Sequence, residues 1–321
     1  MAGVLSAGTP SAGVPSAETL SDQAFRNLVE KKVRRTIRKH RLFTLKDRIA
    51  VAVSGGKDSV VCMYILKKMG YSIRAVTIDP GIGKYSQENL KNLKSICKRY
   101  EIALDVISFK EELGMGIRKI LSKMRSEGID YSACMICGIL KRYLLNRYAK
   151  ENSFVAIATG HNLDDEAQAF LMNVFRNDFR LAVRQGPKPG ITRSAGFVQR
   201  VKPLYNISEQ EIIRYSKAMR FPVYYGICPL STDAYRRQFI AILDGFEKKH
   251  PSVKYNILGF QEIMAKGIKS TGHGKSGNGT RVGRCERCGE PSSNSVCKAC
   301  HIMEKLELHN SSPRKTMRPA N

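Results

Sequence analysis

From Ile49 onward, short apolar runs rich in β-branched residues alternate with longer segments of helical spacing, and this alternation constrains the fold more than any other feature. IAVAVS (49–54), SIRAVTID (72–79), IALDVISF (102–109) and FVAIAT (154–159) read as buried strands. DSVVCMYILKKMG (58–70), SQENLKNLKSICKRY (86–100), KEELGMGIRKILSKM (110–124), ICGILKRYLLNRYAKE (136–151) and LDDEAQAFLMNVFR (163–176) read as helices. Near-continuous apolar strands separated by helices require a parallel sheet covered on both faces, which is a doubly wound α/β fold. Ligands on such sheets sit at the carboxyl ends of the strands, where strand order reverses.

This domain is expected to span residues 21–205. It opens with a helix that sets Phe25, Leu28, Val29, Val33 and Ile37 at helical spacing under a basic face. Residues 206–265 read as a helical extension, 266–284 as a Gly- and Lys-rich linker and 285–303 as a small cysteine module; polar tails at 1–20 and 304–321 are expected to be disordered or loose. The chain carries 54 Lys and Arg against 28 acidic residues, a net charge of +26. Such an excess points to a polyanionic partner, nucleic acid before an anionic membrane. No apolar run approaches the roughly 20 residues of a membrane span, and the N-terminus lacks the basic region of a secretory signal. The expectation is a cytoplasmic protein that does not engage a membrane, in which nine cysteines serve metal or redox chemistry rather than structural disulfides.

The turn between the first strand and its helix reads SGGKDS. Gly55 and Gly56 allow the backbone to approach a ligand. The following helix N-terminus favours an anion. Lys57 adds a cation, and Ser54 and Ser59 add hydroxyl donors. The turn is built for phosphate but lacks the Walker and dinucleotide spacings. Asp58, negative inside a phosphate site, is expected to orient donors or a Mg²⁺ ion.

Cys134 and Cys137 straddle the start of a basic helix, where the helix N-terminus, Lys141 and Arg142 would favour thiolates. On spacing alone they are a redox pair, half a zinc site or part of a cluster. Cys228 lies 91 residues beyond Cys137 and precedes a proline, as some iron–sulfur ligands do. Near the C-terminus, Cys285, Cys288, Cys297 and Cys300 form C-x₂-C-x₈-C-x₂-C. Four thiolates on two short knuckles match a closed, structural tetrahedral Zn²⁺ site, and metal binding would supply this segment's folding energy. Cys62 and Cys97 fall among apolar helix neighbours and read as core.

SGGKDS after a strand resembles the signature of the PP-loop ATP pyrophosphatases, which split ATP between the α and β phosphates and transfer AMP to a carbonyl oxygen. With C-x-x-C-G-x-x-K-R-Y (134–143), ATGHNLDDE (158–166) and RVKPLY (200–205), the chain resembles the TtuA and cytosolic/archaeal thiouridylase group, which puts sulfur on C2 of tRNA uridines, from about Phe25 to Lys305. The resemblance implies ATP, Mg²⁺, Zn²⁺ and a [4Fe–4S] cluster on Cys134, Cys137 and Cys228. Lys141 and Asp165 take the family's catalytic positions, with Asp164 as the alternative for the latter. Val53, Ile78 and Asp79 fall where the nucleotide sits; Gly160, His161, Asn162 and Asp165 fall in the second ATP motif.

The expected substrate is a tRNA, with the wobble uridine favoured over that of the T-loop. The sulfur source is a ubiquitin-like carrier protein or free sulfide, and the protein is expected to be a homodimer. A cluster-free persulfide route through Cys134 and Cys228 stays open, as does a non-catalytic tRNA-binding role. Relatives typically carry a further zinc finger at the N-terminus; here no cysteine precedes Cys62, so either that finger is lost or residues 1–20 are not the natural start.

Overall fold

In the computed structural model, residues 19–129, 131–189, 196–231, 234–270 and 283–307 are described. Most of the expected tails and linker lie outside them.

The elements run α1 (Asp22–Lys39), β1 (Arg48–Ala52), α2 (Lys57–Lys68), β2 (Ser72–Asp79), α3 (Lys84–Arg99), β3 (Leu104–Ser108), α4 (Phe109–Leu113), α5 (Ile117–Ser126), α6 (Ala133–Glu151), β4 (Ala156–Thr159), α7 (Leu163–Phe175), α8 (Phe179–Arg184), β5 (Gln199–Val201), α9 (Glu209–Ala218), α10 (Ala234–Lys249), α11 (Val253–Ser270), β6 (Gly283–Arg284), β7 (Pro291–Ser292) and α12 (Lys298–Lys305). Strands β1 to β5 form one parallel sheet in the order β3-β2-β1-β4-β5. The chain runs outward one way through β1, β2 and β3, then returns to the other side of β1 with β4, so strand order reverses between β1 and β4.

The two faces of the sheet bury separate cores. On one, Ile49, Val51, Ala156, Ala158 and Val201 pack against α1, α2, α3 and α9. On the other, Ala50, Val76 and Ile157 meet α4, α5, α6 and α12. Helix α1 buries Phe25, Val29, Val33 and Ile37 and keeps Arg34, Arg35 and Arg38 exposed, as its spacing predicts. Cys62 and Cys97 are buried, and burial pushes their thiols up to about 12 and about 11.

Three local readings differ from the structure. The expected helix 110–124 divides into α4 and α5, because Gly114 adopts a left-handed conformation (φ 70°) that ends α4. Helix α11 runs to Ser270 and so takes in the first five residues of the linker expected at 266–284. The short elements α8 and β5 carry too little periodicity to be read from sequence.

Candidate active site

The SGGKDS turn leaves β1 and the ATGHN turn leaves β4, so the two motifs flank the reversal of strand order. They touch. A Cβ added to Gly160 would lie 2.7 Å from the Asp58 carbonyl carbon and the Ser59 nitrogen, so only glycine permits this approach. Asn162 Nδ2 donates to Asp58 Oδ1 at 3.0 Å. Asn162 also caps α7: its side chain accepts from Asp165 N, and the Asp165 carboxylate accepts from Asn162 N, forming a capping box.

Within the first turn, Ser59 Oγ accepts from Ser54 N at 3.1 Å and donates to Gly56 O at 3.0 Å, closing the loop on itself. Lys57 begins α2 and pairs with Asp58 at 3.2 Å and with Glu209 at 2.7 Å. Burial alone would discharge this lysine, but the hydrogen bond to Glu209 and the Asp58 charge outweigh it and raise its pKa. Of the two roles open to Asp58, orienting donors is the one this arrangement displays. Val53 N donates to Val76 O at 2.9 Å, so Val53 extends β1 to the site. Ile78 and Asp79 end β2, where Asp79 Oδ1 accepts from Gly81 N at 2.8 Å and shapes the loop into α3.

The neighbouring acids of α7 separate cleanly. Asp164 is buried; it accepts from Lys254 and, at 2.7 Å, from Glu209 N at the start of α9. Asp165 is partly exposed and pairs with Arg236 at 2.7 Å. Burial raises its carboxyl pKa, and the Arg236 charge only partly offsets this. His161 Nδ1 lies 2.8 Å from Thr159 Oγ1. His161 is exposed, yet desolvation by the surrounding protein, followed by the charge of Lys202, holds its pKa down to about 4, and the imidazole is neutral at pH 7.

Helix α6 carries Cys134, Cys137 and Lys141. Its C-terminal end lies by the strand starts, where Arg48 Nη1 donates to Asn152 O at 3.3 Å, so its N-terminus points to the carboxyl ends of the strands. Ser132 caps that end. Cys134 is exposed; Cys137 and Cys228 are half-buried. Cys137 feels the charges of Lys141, Cys228 and Cys134, which brings the four side chains into one neighbourhood. The expected thiolate is not favoured in the free protein: burial raises the Cys137 thiol, Cys228 and Cys134 raise it further, and Lys141 only partly opposes them. The three thiols of Cys134, Cys137 and Cys228 fit a cluster bearing one iron without a protein thiolate.

The sulfurs of Cys285, Cys288, Cys297 and Cys300 lie within 4.8 Å of one another, the donor set of a tetrahedral Zn²⁺ site. The β6–β7 hairpin and the N-terminus of α12 hold them, with Cys285 Sγ accepting from Cys297 N and Cys297 Sγ from Cys300 N, each at 3.3 Å. Ala299, Ile302 and Leu306 bury against the same core as α6.

Several cations of α6 and α10 are engaged with partners inside the protein. Arg236 binds Asp165 and Gln168, Arg147 binds Glu112, and Lys150 lies 3.4 Å from Glu290. Sequence reasoning did not find Glu209 or Lys254, whose partners lie 152 and 90 residues away.

A fold of this topology, with two touching nucleotide turns at the reversal of strand order, is that of an ATP-binding PP-loop domain, and the model of the PP-loop domain family matches residues 25–240. A zinc-ribbon model matches residues 283–312. The chain is 35% identical over 285 residues to the tRNA-5-methyluridine(54) 2-sulfurtransferase of Pyrococcus horikoshii, covering 88% of this chain and 86% of that one. It is 32% identical over 300 residues to cytoplasmic tRNA 2-thiolation protein 1 of Laccaria bicolor, covering 90% and 80%. Among solved structures it resembles the U34-tRNA thiolase NcsA of Methanococcus maripaludis with its [4Fe–4S] cluster, at a TM-score of 0.74, 28% identity and 89% coverage of both chains. The chain belongs to the PP-loop family and, within it, to the group of tRNA 2-thiolation proteins.

Proposed function

We propose that this protein is an ATP-dependent tRNA 2-thiouridine synthase that forms AMP and pyrophosphate and acts on the wobble uridine. The observation that carries this reading is the convergence of the two touching ATP turns and the N-terminal end of α6, with Cys134, Cys137 and Lys141, on the carboxyl edge of one sheet. C2 of uridine is a poor electrophile because oxygen leaves badly. Attack of O2 on the α-phosphorus of ATP forms the O2–phosphorus bond, breaks the bond to pyrophosphate and makes AMP the leaving group. The free amides at the start of α2 and the Lys57 ammonium stabilise the charge on departing pyrophosphate, alongside Mg²⁺. Hydrosulfide then adds at C2, AMP departs with the C2–O bond pair, and one proton is released. Lys141 and Asp165 supply charge stabilisation and proton movement in this second step. Cys134, Cys137 and Cys228 would hold a [4Fe–4S] cluster, which when bound offers an iron with an open position for sulfide.

The target base must leave its stack to reach the site. The exposed arginines of α1 suit contact with RNA phosphates. The sulfur comes from a ubiquitin-like carrier or free sulfide. A homodimer is favoured by the exposed large apolar side chains of α7, α8, α10 and α11, among them Phe175, Phe179, Leu181, Phe246, Phe260 and Ile263. Among the described residues no helix is long and apolar enough to cross a membrane, and a cytoplasmic setting is proposed with the relatives so named.

The test is anaerobically purified, iron-replete protein given ATP, sulfide and unmodified tRNA. AMP and 2-thiouridine at position 34 support the reading; neither product overturns it. The similarity to an enzyme acting at position 54 favours a second reading, in which the same chemistry falls on the T-loop uridine. Mapping the thiolated nucleoside by mass spectrometry separates the two.

A further inference from the structure

Helix α6 and strand β5 meet through a hydrogen bond from Val198 N to Asn146 Oδ1, at 3.0 Å. The two segments run antiparallel, since the C-terminal end of α6 lies by the strand starts. Two residues forward along a strand is about 6.6 Å. One turn back along a helix, from Asn146 to Arg142, is about 6 Å. Side chains two apart on a strand share a face. Val198 packs on the α6 side of the sheet while Val201 is buried on the other, so Arg200 faces α6. The register therefore brings Arg200 opposite Arg142. The Arg142 guanidinium folds over Gly138, where its Nη1 would lie 3.0 Å from an added Cβ, one residue past Cys137.

Two guanidiniums side by side repel, and natural surfaces relieve this with a carboxylate. None is paired with either arginine among the described residues. The nearest acid along this seam, Glu290, is taken by Asn146 and Lys150 one and two turns further on. Burial, followed by the charge of Arg142, pulls the Arg200 pKa down to about 10, as expected of a half-buried cation whose neighbour is another cation. Arginine forks are matched to phosphate oxygens.

We propose that Arg142 and Arg200 form a receptor for one phosphate, a backbone phosphate of the substrate RNA, which holds the strand beside Lys141 and the N-terminal end of α6. The alternative source of the same chemistry is a phosphate of ATP. The RNA is favoured because the ATP turn opens α2 on the opposite face of the sheet, whereas both arginines lie on the α6 face.

This inference rests on the tRNA reading above, and its test separates the two. Affinity for unmodified tRNA is measured across a salt series for the wild type, Arg142→Gln and Arg200→Gln, together with KM for ATP. Each variant should bind tRNA about tenfold more weakly and lower the slope of log affinity against log salt by about 1, with KM for ATP unchanged. Melting temperature and cluster absorbance establish that each variant is folded and loaded. If Arg200→Gln does not fold, Arg142→Gln, whose side chain is exposed, decides alone. An unchanged salt slope overturns the receptor, and so does a raised KM for ATP with tRNA binding intact. A wild type that does not bind tRNA at all overturns the tRNA reading instead.

Discussion

Asn162 Nδ2 donates to Asp58 Oδ1 at 3.0 Å, joining two motifs 104 residues apart in the chain. Asn162 also caps α7, so its replacement by alanine would confound two effects. Asn162→Asp keeps a good capping oxygen but removes the donor and sets a second carboxylate against Asp58. A hydrogen bond to a charged group contributes about 1.5–3 kcal/mol, so tRNA-dependent pyrophosphate release should fall roughly 10- to 100-fold while the melting temperature stays close to wild type. Undiminished release would show that the link does not position the loop.

Gly160→Ala tests the close approach from the other side. Its methyl would meet backbone atoms of Asp58 and Ser59 at 2.7 Å, and backbone cannot rotate out of the way as a side chain can. Forcing an extra carbon into packed structure costs about 1–3 kcal/mol, and here the displaced atoms are those of the phosphate turn. ATP affinity, measured by calorimetry, should drop at least tenfold, more than the change in stability implies. Wild-type ATP affinity in a folded Gly160→Ala protein would contradict this.

The fold was legible because its central strands, β1 and β4, are almost fully buried. IAVA and AIAT expose almost nothing, so each reads as a continuous apolar run without competing polar periodicity. The three residues of β5 and the six of α8 each span fewer than two periods of their templates. At the site, motifs locate residues but not their partners. Asp164 and Asp165 are equivalent as text; only folding gives Asp164 to buried Lys254 and leaves Asp165 at the cleft with Arg236. The partners of Arg147, Lys150 and Arg236 are equally illegible as text, because their carboxylates arrive from elsewhere in the chain.

Lys254 is the stability counterpart of that division. It is 2% exposed and gathers Asp164, Asp244 and Glu247 around one ammonium. Lys254→Met would leave Asp164 buried and uncompensated, a loss of about 3–5 kcal/mol visible in urea unfolding. Adding Asp164→Asn should recover part of that loss, because the two substitutions act on one pair. Strict additivity of the two would mean the residues are not coupled.

His161 gives the chain a defined pH response. Its folded pKa, about 4, lies below the ordinary 6.5. The unfolded chain therefore binds the extra proton first. This contribution is fully present above pH 6.5 and is lost as pH falls through the window down to about 4. His161→Gln should flatten the fall in unfolding free energy between pH 6.5 and 4.5 without altering it at pH 8. A variant whose stability profile parallels the wild type across that window would rule out this histidine as the source.

The zinc site should act beyond its own segment. Glu290, between the two cysteine knuckles, accepts from Asn146 and lies 3.4 Å from Lys150 on α6, while Lys123 of α5 donates to Leu306 O at 2.9 Å. Metal holds the knuckles that present these groups, and the segment buries too little to fold without it. Cys297→Ser or chelation should release α12, uncover the α6 surface that Ala299 and Ile302 cover, and speed amide exchange along residues 140–150. The ATP turns, on strand ends remote from this contact, should keep their exchange rates. Faster exchange confined to residues 283–307 would make the ribbon an independent appendage; exchange that spreads into α6 identifies it as a brace for the helix that presents Cys134 and Cys137.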